Sequence, residues 1–258
     1  MGASLFHRDK HRLKLTETGR VLLTATKDIL ASVETALQQA RDTARSEVGT
    51  IVLGMIPGPE GMVFSHILPL LLRSPDSQLL VRTMTAPEAI QALLNREIRA
   101  AFTRGSIEDE DIAYEVYMRE EMVAVLPERS PLARQERVSV EDLAKLPLIS
   151  ISAAVAPAVH QATEEIEARA GVKFIRGICS ESLMTSMNAV ASGLGCCFFS
   201  KYVEGIVPKG VVARPIDLDP APTLDLLFAY RKDDQFPALA TLIALVHAHS
   251  PYWNQAER

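Results

Sequence analysis

Short apolar runs and amphipathic stretches alternate along most of this chain, and that alternation constrains the fold more than any single motif. Residues 51–56 form an unbroken apolar run stopped by Pro57-Gly58-Pro59, which reads as a buried strand and turn. An amphipathic helix is expected over 63–72, with Ile67, Leu68, Leu71 and Leu72 on one face. Residues 77–85 read as strand, 87–95 as helix and 100–103 as a short strand. A further strand centres on 122–126, within 114–127. The pattern then resumes: a helical turn opened by Ser139, a strand at 148–151, and a helix over 161–170 stopped by Gly171. Phe174-Ile175 leads towards the next strand. A helix is expected over 182–191, strands at 193–199, 211–216 and 224–230, and a closing helix over 237–247. Parallel strands need crossover connections, usually helical, so the expected class is α/β with crossover helices and the same style in both halves.

The first 50 residues follow a different rule. Arg8, Lys10, Arg12 and Lys14 crowd one short segment with His7 and His11, while Leu13 and Leu15 offer an apolar edge for a small hairpin. Four cations against Asp9 give residues 8–14 a charge of +3, so the rest of a chain of net charge −5 carries −8. A solvated charged edge is the plain reading of such a cluster. The sharper reading is a set of phosphate contacts by Arg8, Lys10, Arg12, Lys14 and Thr16, because cations beside a nucleic acid release counterions whatever the base sequence. A basic tip on an acidic body suits a local DNA contact better than a surface that coats polyanions. Thr16 stands where a helix N-cap belongs, and no proline interrupts 16–45. Leu22, Ile29, Val33, Ala36, Leu37 and Ala40 form a narrow stripe of small and apolar residues along that helix. Such a stripe packs along another helix more readily than into a broad core, although docking on its own domain is the alternative. Residues 46–50 break the helix and mark the best domain boundary.

Composition excludes several classes. The three cysteines, Cys179, Cys196 and Cys197, form no spaced framework and point to reduced thiols in a cytoplasmic chain; the adjacent pair reads as core. No run of apolar residues reaches spanning length and no signal-peptide pattern opens the chain, so no membrane role is expected. Metal-ligand spacings are missing, and no metal or cofactor is expected. The sequence holds no G-x-S-x-G elbow, P-loop or H-E-x-x-H, and its histidines are scattered; no enzyme is expected. Gly193-x-Gly195 precedes a strand instead of following one, which removes a nucleotide-loop reading.

In an α/β lobe ligands gather at the carboxyl ends of strands, where loops and helix N-termini present free N–H groups. That rule selects Gly58 after the first strand, Thr85 after the second, and Thr103 and Arg104 after the third. From the second half it selects Ser150, Ser152, Glu181 and Ser182. Hydroxyl and N–H groups would hold the carboxylate of a small acid, with Arg104 as its countercharge. A strand-end threonine that merely caps, a surface Arg in an ion pair and a stiff Pro-Gly-Pro turn are the plainer readings of the same residues.

Residues 1–8, then Leu15-Thr16 and Gly19, resemble the "LG..LF.R......LT..G" signature of LysR-type transcriptional regulators. Residues 138–149, Val190-Ala191-Ser192-Gly193-Leu194-Gly195 and Arg214-Pro215-Ile216 add to the resemblance, which covers nearly the whole chain and is nearest to regulators of aromatic-compound breakdown. It implies two Rossmann-like lobes like those of a type 2 periplasmic binding protein, preceded by a long linker helix. The implied division is a remnant of a winged helix-turn-helix at 1–15, a linker and dimerisation helix at 16–48, and an effector-binding domain at 49–258. Within the last, lobe I is about 49–119 with 226–258, and lobe II about 120–225. The family's reading head, a helix-turn-helix, precedes the wing and is not in this sequence. The resemblance implies a bacterial, cytoplasmic, ligand-responsive regulator that forms a homodimer or homotetramer. Its effector would be a small organic acid, aromatic acids included, the same strand-end residues would line its pocket, and promoter DNA (given the full reading head) and RNA polymerase would be its partners. The alternative is a cytoplasmic solute-binding or dimerising module without DNA activity. Two positions depart from the family pattern: Arg96-Glu97-Ile98-Arg99 stands for Gly-x-Leu-Asp, and the strand after the glycines ends in Ser200 instead of Pro.

Overall fold

The computed structural model describes residues 4–9, 12–46, 50–67, 78–105 and 107–250. The chain divides into two compact units, with the boundary just before the first strand of the second.

In the first unit, β1 (Phe6–Asp9) and β2 (Arg12–Leu15) form an antiparallel hairpin, with Phe6 opposite Leu15 and Asp9 opposite Arg12. Helix α1 (Glu17–Ser46) follows directly. Thr16 caps it: the Thr16 hydroxyl accepts from the Gly19 N–H at 2.9 Å and donates to the Ser4 carbonyl at 2.8 Å. This ties the hairpin to the first helical turn. Gly19 is required there, because a Cβ on it would lie 2.2 Å from the Leu5 carbonyl oxygen. Ile29, Val33 and Leu37 are exposed along α1, as are Val21 and Leu30. Lys10 lies outside the described residues.

The second unit opens with β3 (Thr50–Met55), α2 (Glu60–His66), β4 (Gln78–Thr83), α3 (Ala86–Leu94) and β5 (Ala100–Thr103). Strand β3 pairs in parallel with both β4 and β5, as crossover helices require. Helix α2 begins at Glu60, three residues before the apolar periodicity starts, because Pro59 takes the cap position and leaves the polar first turn to Glu60. Residues 68–72, expected to continue it, lie outside the described residues.

The 16-residue strand β6 (Ile112–Pro127) joins the two lobes. Its first part, up to Glu121, pairs antiparallel with β12 (Thr223–Arg231). From Met122 onward it pairs instead with β10 (Cys197–Ser200) and β11 (Val211–Asp217). The sheet is therefore mixed: antiparallel along its spine where the chain passes out and back, parallel towards its edges.

Between those strands the second lobe adds β7 (Val138–Ser139), α4 (Val140–Leu143), β8 (Pro147–Ile151), α5 (Pro157–Ala170), β9 (Ile175–Ser180) and α6 (Leu183–Ala191). Parallel pairing joins β3 to β4 and β5, β8 to β9, and β7 to β11. Helix α7 (Pro237–His249) closes the first lobe. Helix α5 starts four residues before the sequence pattern places it. Pro157 sits at its first position, where the missing N–H and fixed φ cost nothing. The strand expected from Gly193 starts only at Cys197, because Gly193 and Gly195 turn with φ of +80° and +154°.

Each lobe has its own core. Phe102 packs against Tyr117 and Phe228, with ring centroids 5.1 Å apart in both pairs, under Met55, Leu239 and Leu242. In the second lobe Phe174 meets Phe198 at 5.2 Å among Leu126, Leu143 and Ile166. Cys196 and Cys197 are buried, and burial pushes the Cys196 thiol up to about 12. At Arg96-Glu97-Ile98-Arg99 the two arginines are answered by aspartates after β12. Arg96 ends α3 with φ of +62°, in the place of the family's glycine, and pairs with Asp233; Arg99 meets Asp234 at 3.1 Å. Arg231 donates to the Leu93 and Ile98 carbonyls at 2.8 and 3.1 Å, fixing the end of α3 to β12.

Glu167 on α5 is almost fully buried and holds the start of β9. It accepts from the Phe174 N–H at 2.8 Å and from Arg176 at 2.7 Å, with the Lys173 ammonium at 3.6 Å. Burial alone would push its pKa up, but the Phe174 N–H, Arg176 and Lys173 together outweigh burial and hold it below the usual glutamate range. A carboxyl whose folded pKa is lowered adds stability above its unfolded pKa, and that contribution is lost as pH falls through the folded value. Glu167→Gln is therefore expected to lower stability by about 1–3 kcal/mol at pH 7. In urea unfolding followed against pH, the gap between the two proteins should close below the ordinary glutamate range; a gap independent of pH would contradict this account.

Candidate functional site

The carboxyl ends of β3 and β5, the loop after β8, the end of β10 and the starts of four helices surround one cavity of about 480 Å³ between the lobes. That is within the usual range for small-molecule sites. From the first lobe come Ile56, Pro57, Gly58, Glu60, Thr85, Ala86 and Arg104. From the second come Ile151, the start of α5, Glu181 to Met184, Phe199, Ser200, Tyr202 and Ile206. Most of the wall is apolar, and its polar groups are few enough to take one by one.

Thr85 begins α3 through a capping box. The Glu88 N–H reaches the Thr85 hydroxyl oxygen at 3.4 Å, and the Thr85 N–H and hydroxyl donate to the Glu88 carboxylate at 2.7 and 2.8 Å. The bond from the Thr85 N–H holds the Glu88 carboxyl below the usual range. Gly58 donates its N–H to the Glu60 carboxylate at 2.6 Å. Gly58 has φ of +119°, and a Cβ there would lie 2.4 Å from the Tyr202 hydroxyl. The Tyr202 ring, reaching over from the second lobe, thus occupies the space of a side chain at 58. Burial pushes the Tyr202 phenol above its ordinary range, so it is neutral.

Arg104 borders the cavity, but its guanidinium is already bonded. It donates to the Glu120 carboxylate at 2.6 Å and to the Leu224 carbonyl at 3.0 Å, and it lies 5.4 Å from the Tyr202 ring centroid. Both side chains of the pair are buried. The free countercharge expected at Arg104 is thus a closed ion pair, and it ties β5 to the two strands that pass between the lobes.

Of the eight residues selected from the sequence, Gly58, Thr85, Arg104, Glu181 and Ser182 line the cavity, and Thr103, Ser150 and Ser152 do not. Thr103 is buried, and among the described residues its hydroxyl has no partner. Ser150 borders a small crevice with His160, Thr163 and Arg176. Ser152 turns the chain, its N–H donating to the Ser180 carbonyl at 2.8 Å and its hydroxyl accepting from the Ala154 N–H at 3.3 Å. The alternation of side chains along a strand explains these misses: the residue at a strand end faces the cleft or the core according to register. The residues that sequence reasoning missed are Glu60, Ser200 and Tyr202. The strand-end rule applied to β10 would have found the last two.

Comparison with known proteins agrees with this architecture. Residues 44–251 match the LysR substrate binding domain family. The chain is 26% identical to the Hca operon transcriptional activator HcaR of Escherichia coli over 95% of its own length and 83% of that protein's. A full-length BenM mutant superposes with a TM-score of 0.71 at 19% identity, covering 98% of this chain and 84% of that one. The BenM effector binding domain with its effector benzoate superposes at 0.70 and 18% identity, covering 80% of this chain and 94% of that one. The chain belongs to the LysR family of ligand-responsive transcriptional regulators, with the two-lobed fold of its effector-binding domains. The module without DNA activity shares this fold, but the relatives are named as regulators. Among the described residues no helix is long and apolar enough to cross a membrane, and no cluster of three His, Cys, Asp or Glu side chains is poised for a metal.

Removing one partner of a buried ion pair leaves the other charge uncompensated. Arg104→Ala should therefore cost about 3–5 kcal/mol in urea unfolding. The double replacement Arg104→Met with Glu120→Leu should recover most of that loss. Equal losses in the single and double variants would show that the pair is not what holds this junction.

Proposed function

We propose that the cleft is the effector site of this regulator and that the effector is a small organic acid. The observation that carries this is the cavity itself, enclosed by both lobes and bordered by helix starts. Uncapped N–H groups at a helix start favour anions. The benzoate bound to the related domain is an aromatic acid, which supports the same class of ligand. Gly58, Thr85, Glu181 and Ser182 border the proposed effector, and Arg104 shapes its wall through the bonds to Glu120 and the Leu224 carbonyl.

The first unit is proposed to carry the output. Exposed Ile29, Val33 and Leu37 on α1 suit pairing with the same helix of a second copy, in a homodimer or homotetramer. The hairpin of β1 and β2, with Arg8, Arg12 and Lys14, suits contact with DNA phosphates beside a reading head, at promoters where RNA polymerase is the further partner. The protein acts in the cytoplasm in this reading.

Isothermal titration with benzoate and related small carboxylic acids tests the sensing role. At least one acid should bind with measurable heat and alter affinity for promoter DNA. Absence of heat across the panel would overturn the assignment. For the helix, Ile29→Glu with Leu37→Glu is expected to shift sedimentation towards monomer while leaving acid binding in the cleft within about twofold, since 1.4 kcal/mol already corresponds to tenfold. An unchanged oligomer would remove α1 from the interface.

A further inference from the structure

The two walls of the cavity differ in their electrostatics. In the first lobe the donors are already satisfied from within: the Gly58 N–H by Glu60, the Thr85 N–H and hydroxyl by Glu88, and Arg104 by Glu120 and the Leu224 carbonyl. Position 58 carries no side chain, and Tyr202 closes the space. What this wall offers a ligand is the Glu60 carboxylate, an acceptor.

The second lobe offers the reverse. Helix α5 has Ala156 at its cap position and so no side-chain cap, and neither α5 nor α6 has an acidic residue in its first turn. Ser182 reaches the Thr185 N–H only at 3.5 Å. The first-turn N–H groups of Ala158, Val159, Leu183 and Met184 have no carbonyl one turn back. A second, independent feature points to a ligand here. Ser200 borders the same cavity at 1% exposure, and among the described residues its hydroxyl has no hydrogen-bond partner. Glu181, just before α6, also borders the cavity and is exposed.

A plain carboxylate in this cavity would meet the second lobe's N–H donors with exposed Glu181 beside them, and the Glu60 carboxylate, which already accepts from the Gly58 N–H, on the first-lobe wall. We propose that the effector is a carboxylic acid with a hydrogen-bond donor on the carbon beside its carboxylate, an α-amino or α-hydroxy acid with an apolar side chain. Its carboxylate is held by the starts of α5 and α6 and by the Ser200 hydroxyl. Its amino or hydroxyl group donates to Glu60, with Glu181 as the second acceptor for an ammonium. Its side chain lies against Ile56, Ile151, Leu183, Phe199 and Ile206. This deepens the acid-sensing reading and rests on it.

The test is isothermal titration of the full chain with two matched series. One is L-phenylalanine, L-3-phenyllactate and 3-phenylpropanoate; the other is L-leucine, L-2-hydroxy-4-methylpentanoate and 4-methylpentanoate. In at least one series a donor-bearing acid should bind at least tenfold more tightly than the bare acid, and the amino and hydroxy members show which donor is read. Glu60→Gln or Glu181→Gln should shrink that ratio at least threefold. Ser200→Ala should weaken every binding member of a series alike. Equal or tighter binding of the bare acids overturns the inference and leaves the acid-sensing cleft standing. An unchanged ratio in both glutamine variants also overturns it. Binding by none of the six acids overturns the inference, and if benzoate and its relatives fail as well, the cleft assignment falls with it.

Discussion

Strand β6 is the constraint on which the second unit depends. One continuous strand pairs with β12 in the first lobe and, from Met122 on, with β10 and β11 in the second. The chain returns through β12, so each lobe is completed by the chain's way back as well as its way out. At the changeover, Glu120 would be an uncompensated charge in the interior without Arg104, and Arg104 also bonds the start of β12 through the Leu224 carbonyl. The ion pair thus joins three strands at the point where the lobes meet. A buried pair of this kind adds little net stability, because desolvation consumes much of its Coulombic gain, but losing one partner is costly.

The position of the cavity follows from that junction. Each lobe repeats strand, turn and helix, so strand carboxyl ends and helix starts fall on one side of each sheet. The two such sides face each other across the changeover. Their chemistry then depends on what each helix start carries. Glu60 and Glu88 satisfy the first lobe from within, whereas Ala156 and Ser182 leave the second lobe's first turns largely open.

Much of this was legible in the sequence because hydrophobic periodicity reports burial, and burial decides which segments become strands and helices. The runs at 51–56 and 122–126 and the stripe closing at 237–247 gave the elements, and the wing signature gave the family. Proline and glycine misled where their role is positional. Pro157 begins a helix four residues ahead of the stretch expected at 161–170, and Gly193 and Gly195 make a turn where the apolar run continues. The antiparallel spine was hidden because pairing partners distant in sequence leave no local mark. The same holds for the site. That Arg104 would be bonded to Glu120, and that Tyr202 would fill the place of a side chain at Gly58, depends on contacts between lobes which no spacing encodes.

A ligand biases a regulator only through its difference in affinity between two arrangements. An acid held by the second lobe alone would bind equally well whether the lobes stood near or apart, and would shift nothing however tightly it bound. A shift needs a ligand that is incompletely bonded until both walls reach it. The acceptor at Glu60 and the donors at α5, α6 and Ser200 belong to different lobes, so a molecule with a donor beside its carboxylate bridges the two walls by a hydrogen bond that a bare acid lacks. In this chain the group that distinguishes one acid from another is therefore also the group that couples binding to the separation of the lobes. Selectivity and response then rest on the same bond, and weakening Glu60 would reduce both together.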